Sequence, residues 1–236
     1  MILSNDCWIK NYCKKGLDKN SECNLSNIYC IKLFKLDYLF ENSLIPKNLW
    51  KKQPLRLDAS RVDEDVFKKL YNIQINIEEF VNKGFNLYLY SEITGNGKTA
   101  WSIRLLQAYI HSIWHKSDLC CKVLFINVPK YLLAIKDNIS VYNDYANFIK
   151  DNVICADIVV WDDIGTKSTT SFEHENLLSI IDDRMNNNKS NIFTSNLSPD
   201  LFKDVVGDRL YSRIVNFSTC LEFKGTDKRS LSLSDI

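Results

Sequence analysis

The chain has 236 residues, 45% hydrophobic and 25% charged, with a net charge of +1. That is enough length for one good core plus a small appendage, and too even a charge for a general nucleic-acid sponge. No apolar run reaches the ~18 residues of a membrane span, and the start, Met1 to Asp6, lacks the basic and apolar regions of a signal peptide.

A cytoplasmic protein is therefore expected, with its eight cysteines as thiols or metal ligands rather than disulfides. Charge is unevenly spread. Residues 1–53 hold nine lysines against five acids, and the remainder holds 21 basic and 24 acidic residues. Any nucleic-acid contact must come from a local strip.

Residues 1–45 carry Cys7, Cys13, Cys23 and Cys30 among Lys, Asn and Ser. Four thiolates can close a tetrahedral zinc site, and such a site supplies roughly 10–16 kcal/mol toward folding a small module. The spacing lacks a C-x-x-C knuckle, and four unrelated thiols are the alternative. Ile31 to Phe40 reads as a short amphipathic helix that packs on this module or docks a partner. Pro46 to Pro54 brackets a basic stretch and reads as a linker, with a second domain over 55–236.

Asp63 to Val81 has helical periodicity, with Asp63 or Asp65 as its cap and Gly84 as its stop. Leu87 to Tyr90 alternates as a strand. It runs into Thr94-Gly95-Asn96-Gly97-Lys98-Thr99, and an apolar helix follows to about Trp114. Strand, glycine loop, Lys-Thr and helix is the order a phosphate-binding loop requires. Polyphosphate needs several inward-pointing amides, and Gly95 and Gly97 remove side chains from the approach. Lys98 is placed for the β- and γ-phosphates and Thr99 for Mg²⁺. The motif's first glycine position holds Glu92, whose carboxylate must point away from the phosphates.

His111 and His115 are one turn apart without the Glu of a metalloprotease motif, and they read as ordinary helix residues. Lys122 to Asn127 reads as a strand, and Pro129 to about Lys136 as a helix. Tyr142 to Ile154 reads as another helix, with Tyr142, Tyr145 and Phe148 available for packing or for stacking on single-stranded bases. Ile158 to Trp161 reads as a buried parallel strand that ends in Asp162-Asp163, at the strand terminus where open α/β sheets carry ligands. Asp162 is expected to hold the Mg²⁺ shell and Asp163 to orient or deprotonate the attacking water.

Glu173 to Asn187 reads as a helix and Asn191 to Thr194 as a strand. Asn196 is placed to bond the γ-phosphate or the water. Phe202 to Ile214 is helical with a break near Gly207, and Arg209 and Arg213 share one of its faces. A last strand spans Thr219 to Phe223, and the polar ending leaves room for no substantial carboxyl-terminal lid.

Four segments together resemble the DnaC/DnaI type of AAA+ helicase loader, in a phage-encoded variety. They are Gly95-Asn-Gly-Lys-Thr99, Val159-Val-Trp-Asp-Asp-Ile-Gly165, Phe193-Thr-Ser-Asn-Leu197 and Gly207-Asp-Arg-Leu-Tyr-Ser-Arg-Ile214. The resemblance implies an α/β fold of P-loop AAA+ type, a five-stranded parallel sheet between helices, and an amino-terminal module that grips a replicative helicase. It implies ATP and Mg²⁺ as cofactors, single-stranded DNA and further copies of the chain as partners, and ATP hydrolysis as the activity. Asn196 matches the first sensor, Arg213 the arginine finger acting on a neighbour's ATP, with Arg209 as second candidate, and Arg229 the second sensor. The strand path in such loaders lies between the two nucleotide motifs, here Lys136 to Lys150. Asp163 stands where that family has glutamate, which implies slow hydrolysis. A transposition-helper ATPase of the IstB kind and a non-hydrolysing helicase adaptor or inhibitor are the alternatives.

Overall fold

The computed structural model describes residues 27–51, 55, 61–138, 141–166 and 170–228. Cys7, Cys13, Cys23 and Arg229 lie outside the described residues. Five short strands form one parallel sheet: β1 (Asn86–Tyr90), β2 (Val123–Asn127), β3 (Ile158–Asp162), β4 (Ser190–Ser195) and β5 (Thr219–Glu222), in the order β2-β3-β4-β1-β5. Parallel neighbours need crossover helices, which cover both faces, so β1 to β4 are buried on both sides, whereas in the edge strand β5 only Leu221 is buried. The expected AAA+ P-loop architecture is present.

Alternating strand residues feed two separate cores. Leu87, Leu89, Val160 and Ile192 point to one face. There they meet α1 (Asn27–Glu41), α2 (Glu64–Ile75), α3 (Ile77–Asn82) and α4 (Lys98–Ile113), through Leu39, Leu70, Phe80 and Leu105. Tyr88, Val159, Trp161 and Phe193 point to the other face. That face is covered by α5 (Val128–Asp137), α6 (Asp144–Asn152), α7 (Ser171–Asn186) and α8 (Pro199–Ile214).

Two expectations change. The helix read over Asp63–Val81 is two helices, because Asn76 leaves helical geometry (φ −104°, ψ 32°) and its Nδ2 donates back to the Asn72 carbonyl at 3.0 Å. Asparagine competes with the helix in this way. Asp63 sits at the N-cap of α2 but makes no capping bond; its carboxylate faces the far end of the chain.

The second change concerns the front of the chain. Leu36, Leu39, Phe40 and Ile45 are buried in the same core as α4. The Ser43 carbonyl accepts the amide of Phe125, a β2 residue, at 2.8 Å. The Gln107 amide donates to the Leu49 and Trp50 carbonyls at 2.6 and 3.2 Å. Residues 36–50 thus pack continuously across the expected boundary at residue 45. Apolar burial at roughly 25 cal/mol per Å² joins these residues to the sheet. Pro46 caps a short 3-10 turn, Lys47–Leu49, rather than opening a linker.

Candidate nucleotide site

β1 ends at Tyr90, and the chain turns through Ser91–Gly97 into α4. Gly95 and Gly97 both have positive φ, 74° and 112°, which a side chain would resist. Gly97 is the N-cap of α4, so the loop delivers its amides at a helix N-terminus, where anions are favoured. Thr94–Ala100, Asp163 and Asn196 line a cavity of about 430 Å³. Glu92 is exposed and takes no part in the lining, as its carboxylate requires.

Lys98 is buried at 6% exposure. Its ammonium donates to the Ile93 carbonyl at 3.1 Å and to Asn96 Oδ1 at 3.3 Å, with the Ser91 carbonyl at 3.5 Å. The loop's own oxygens therefore satisfy the lysine in the position from which it would reach phosphate. Asn96 is also buried and donates to Ser91 Oγ at 2.6 Å.

β3 brings in the carboxylates. Asp162 Oδ1 accepts from Thr99 Oγ1 at 2.9 Å and from Thr194 Oγ1 at 2.8 Å. Burial, then the neighbouring Asp163 carboxylate, pushes the Asp162 pKa above the usual range, and the bonds from Thr194, Thr99 and Asn127 oppose the rise. The strand ends here because Asp163 adopts left-handed geometry (φ 59°), which aspartate tolerates better than most residues. Its amide donates to Thr194 Oγ1 at 3.0 Å, and its carboxylate accepts from Asn127 Nδ2 at 3.4 Å. The Thr194 hydroxyl thus ties the two aspartates to β4, which also carries Asn196 to the cavity. Thr99 Oγ1 and Asp162 are hard oxygen donors side by side, the donor type that suits Mg²⁺.

The remaining expected residues lie elsewhere. α8 kinks at Gly207 (φ 77°, ψ 166°), where a break was expected. Beyond the kink, Arg213 Nε pairs with Asp182 of α7 at 2.5 Å and remains 45% exposed, while Arg209 lies 3.9 Å from Glu175 and is well exposed. Neither arginine lines the cavity of its own chain.

The expected strand path is mostly occupied. Tyr145 and Phe148 pack against the α5–α8 core, Lys136 pairs with Glu173 at 2.9 Å, and Lys130 lies 4.4 Å from the Tyr145 ring centroid. Tyr142, which precedes α6 rather than sharing its face, is 76% exposed. Of the four cysteines expected to bind zinc, Cys30 alone is described, buried in α1. Among the described residues no group of three or more His, Cys, Asp or Glu is placed to hold a metal ion.

Several site residues escaped the sequence reading. Thr194 sits in the very segment that flagged Asn196, and its place two residues earlier on the strand was the available signal. Asn127 was read only as the end of a strand; it ends β2 and also caps α5, accepting from Lys130 N at 3.1 Å. Asp63 looked like a cap, and Lys228 looked like part of a polar tail.

Comparison with known proteins bears on the family and the fold. The model of the bacterial DnaA ATPase domain matches residues 66–220. The chain belongs to that family. Its fold is similar to that of the DnaC helicase loader, at 20% identity and TM-score 0.59 over 76% of this chain and 100% of that one. It is similar to DnaI, at 19% identity and TM-score 0.58 over 79% and 95%. It is also similar to the replication initiator DnaA bound to AMPPCP and single-stranded DNA, at 18% identity and TM-score 0.53 over 80% and 50%. No curated protein matches the chain significantly. No helix among the described residues is long and apolar enough to cross a membrane.

Proposed function

We propose that this chain is an ATP-dependent loader that places a replicative hexameric DNA helicase on single-stranded DNA. One observation carries the reading. Lys98, Thr99, Asp163 and Asn196 converge on one cavity, with Asp162 bonded to Thr99, in a DnaA-family ATPase domain whose fold is shared with two helicase loaders.

In this mechanism the loop amides of Gly95, Asn96 and Gly97 cradle the phosphates, and Lys98 exchanges its loop carbonyls for β- and γ-phosphate oxygens. Thr99 and Asp162 would hold Mg²⁺, which when bound supplies charge neutralisation at the phosphates. Asp163, braced by Asn127, orients the attacking water, and Asn196 senses the γ-phosphate. Arg213 swings from Asp182 to the ATP of a neighbouring copy, where such a finger is worth about 10³–10⁵ in rate; Arg209 is the second candidate and Arg229 the second sensor. ATP then favours an oligomer that binds single-stranded DNA near Tyr142 and Lys150. The amino-terminal cysteines bind zinc and form the helicase grip, so metal analysis of the purified protein should return one zinc per chain; none would remove that part.

Fluorescent ATP-analogue binding by wild type and Lys98→Ala tests the first step. Wild type is expected to bind and the variant to lose binding; equal binding by both overturns the reading. The loading step is tested by recruitment of a ring helicase to single-stranded DNA with and without ATP.

A second reading, a nucleotide-switched adaptor, is favoured by Asp163. Its side chain is one methylene shorter than glutamate and already engaged by Asn127. Steady-state ATPase with helicase and single-stranded DNA separates the two. Stimulation that Arg213→Ala abolishes supports the loader, and no turnover supports the adaptor.

A further inference from the structure

We infer that residues 223–228 form a strap that aims the amides of the phosphate loop, with Lys228 as the positioning residue and Asp63 as the anchor. The inference deepens the nucleotide-binding reading and rests on it for the ligand.

The strap continues β5, and the Phe223 amide still donates to the Tyr90 carbonyl at 2.8 Å. The fully buried Asp63 carboxylate then takes the amides of Lys224 at 2.7 Å and Gly225 at 3.1 Å. The chain next crosses the loop. The Lys228 amide donates to the Gly95 carbonyl at 3.0 Å, and its ammonium donates to the Asn96 carbonyl at 3.1 Å. That ammonium is 5.0 Å from the Phe67 ring centroid and 3.9 Å from Asp63, with a side chain only 19% exposed. From the loop side, Asn96 Nδ2 donates to the Phe223 carbonyl at 3.3 Å.

Peptide geometry gives this contact its consequence. In a trans peptide the carbonyl of one residue and the amide of the next point in opposite directions, and the described chain has no cis bonds. Holding the Gly95 and Asn96 carbonyls against the strap therefore turns the Asn96 and Gly97 amides the other way. Those are two of the donors a polyphosphate needs. Glycines at 95 and 97 leave both peptides free to rotate, and a Cβ at Gly97 would meet nothing within 4 Å. The bonds from Asn96 and Lys98 tie the loop internally through side chains, and the strap adds a hold on the two backbone carbonyls themselves. The Lys228 ammonium bonded to the Asn96 carbonyl also polarises that peptide and strengthens the Gly97 amide as a donor.

The test uses full-length protein with Lys228→Met, which keeps length and removes charge, and Lys228→Arg, which restores it. Hydrogen exchange without nucleotide should show faster exchange confined to residues 93–99 in Lys228→Met, with wild-type rates in β3 and β4 and near-wild-type behaviour for Lys228→Arg. Binding of a fluorescent ATP analogue should weaken about tenfold in Lys228→Met, the size expected for one charge-assisted hydrogen bond, and recover in Lys228→Arg. Unchanged loop exchange, or exchange raised equally across the whole domain, overturns the strap. If wild type binds no nucleotide, the nucleotide reading fails, while the exchange comparison still decides the strap.

Discussion

Replacing Asp162 by asparagine should make the protein more stable and less able to use Mg²⁺. Asp162 is 5% exposed, and two hydroxyl donors at 2.8 and 2.9 Å do not offset the burial that raises its pKa. A carboxyl whose native pKa exceeds its unfolded value of about 3.9 binds more protons in the native state. Stability then falls as pH rises through the interval between the two values and stays lower above it. Asparagine keeps an acceptor oxygen for Thr99 and Thr194 and removes the charge. The charge that burial penalises is then absent, so a gain in stability is expected at neutral pH. In a chain of this size each 1 kcal/mol of gain raises Tm by about 2–4 °C. The gain should shrink as pH is lowered through the raised native pKa and vanish below about 3.9, where the carboxyl is protonated in both states. Thermal unfolding across that range gives the first readout, and Mg²⁺-dependent nucleotide affinity the second. A lower Tm for Asp162→Asn at neutral pH, or a difference that ignores pH, would refute this account.

Thr194→Val should leave the Asp163 amide and Asp162 Oδ1 each short of a bond, at about 1–3 kcal/mol, with a loss of ATP turnover larger than its loss of nucleotide affinity; matched Kd and kcat measurements check the split. Arg184 is fully buried in α7, and burial pulls its pKa down to about 9. It donates to the Val153, Ala156 and Ser190 carbonyls and to Asn191 Oδ1 at 2.5–2.8 Å. Arg184→Met should cost roughly 3–5 kcal/mol by breaking this network, read as a drop in denaturant midpoint at unchanged m. Arg213→Ala should cost little stability, under about 1 kcal/mol for a pair this exposed, yet remove most partner-stimulated hydrolysis; assays at several protein concentrations would show whether the loss appears only where copies meet.

The strands and the phosphate loop were legible because both rest on local chemistry. Leu87 to Tyr90 and Ile158 to Trp161 alternate or run apolar over the length of a strand, and Gly95 and Gly97 permit positive φ whatever surrounds them. The break at Gly207 was visible for the same reason. What was missed depends on distant partners. The split at Asn76 needs only one side chain to turn back, which periodicity over a long window averages away. Asp63 precedes a helix and so looks like a cap; nothing nearby says that its partners are the amides of Lys224 and Gly225. Tyr145 and Phe148 have the composition of a stacking surface, and only the fold shows them turned inward. The packing of residues 36–50 was hidden by the two prolines, which mark a turn without saying what the chain beyond them touches.

The sixteen residues of α4 make a rod about 24 Å long. Lys98 and Thr99 occupy its first turn. Near its other end, Trp114 lies under Lys32 at 5.3 Å and His111 meets the Phe40 ring at 5.8 Å. A ligand at one tip and a protein seated on α1 at the other would press on a single stiff member with no hinge between them. If the two ligands favour different positions of that member, reciprocity requires each to alter the grip of its counterpart by the same factor.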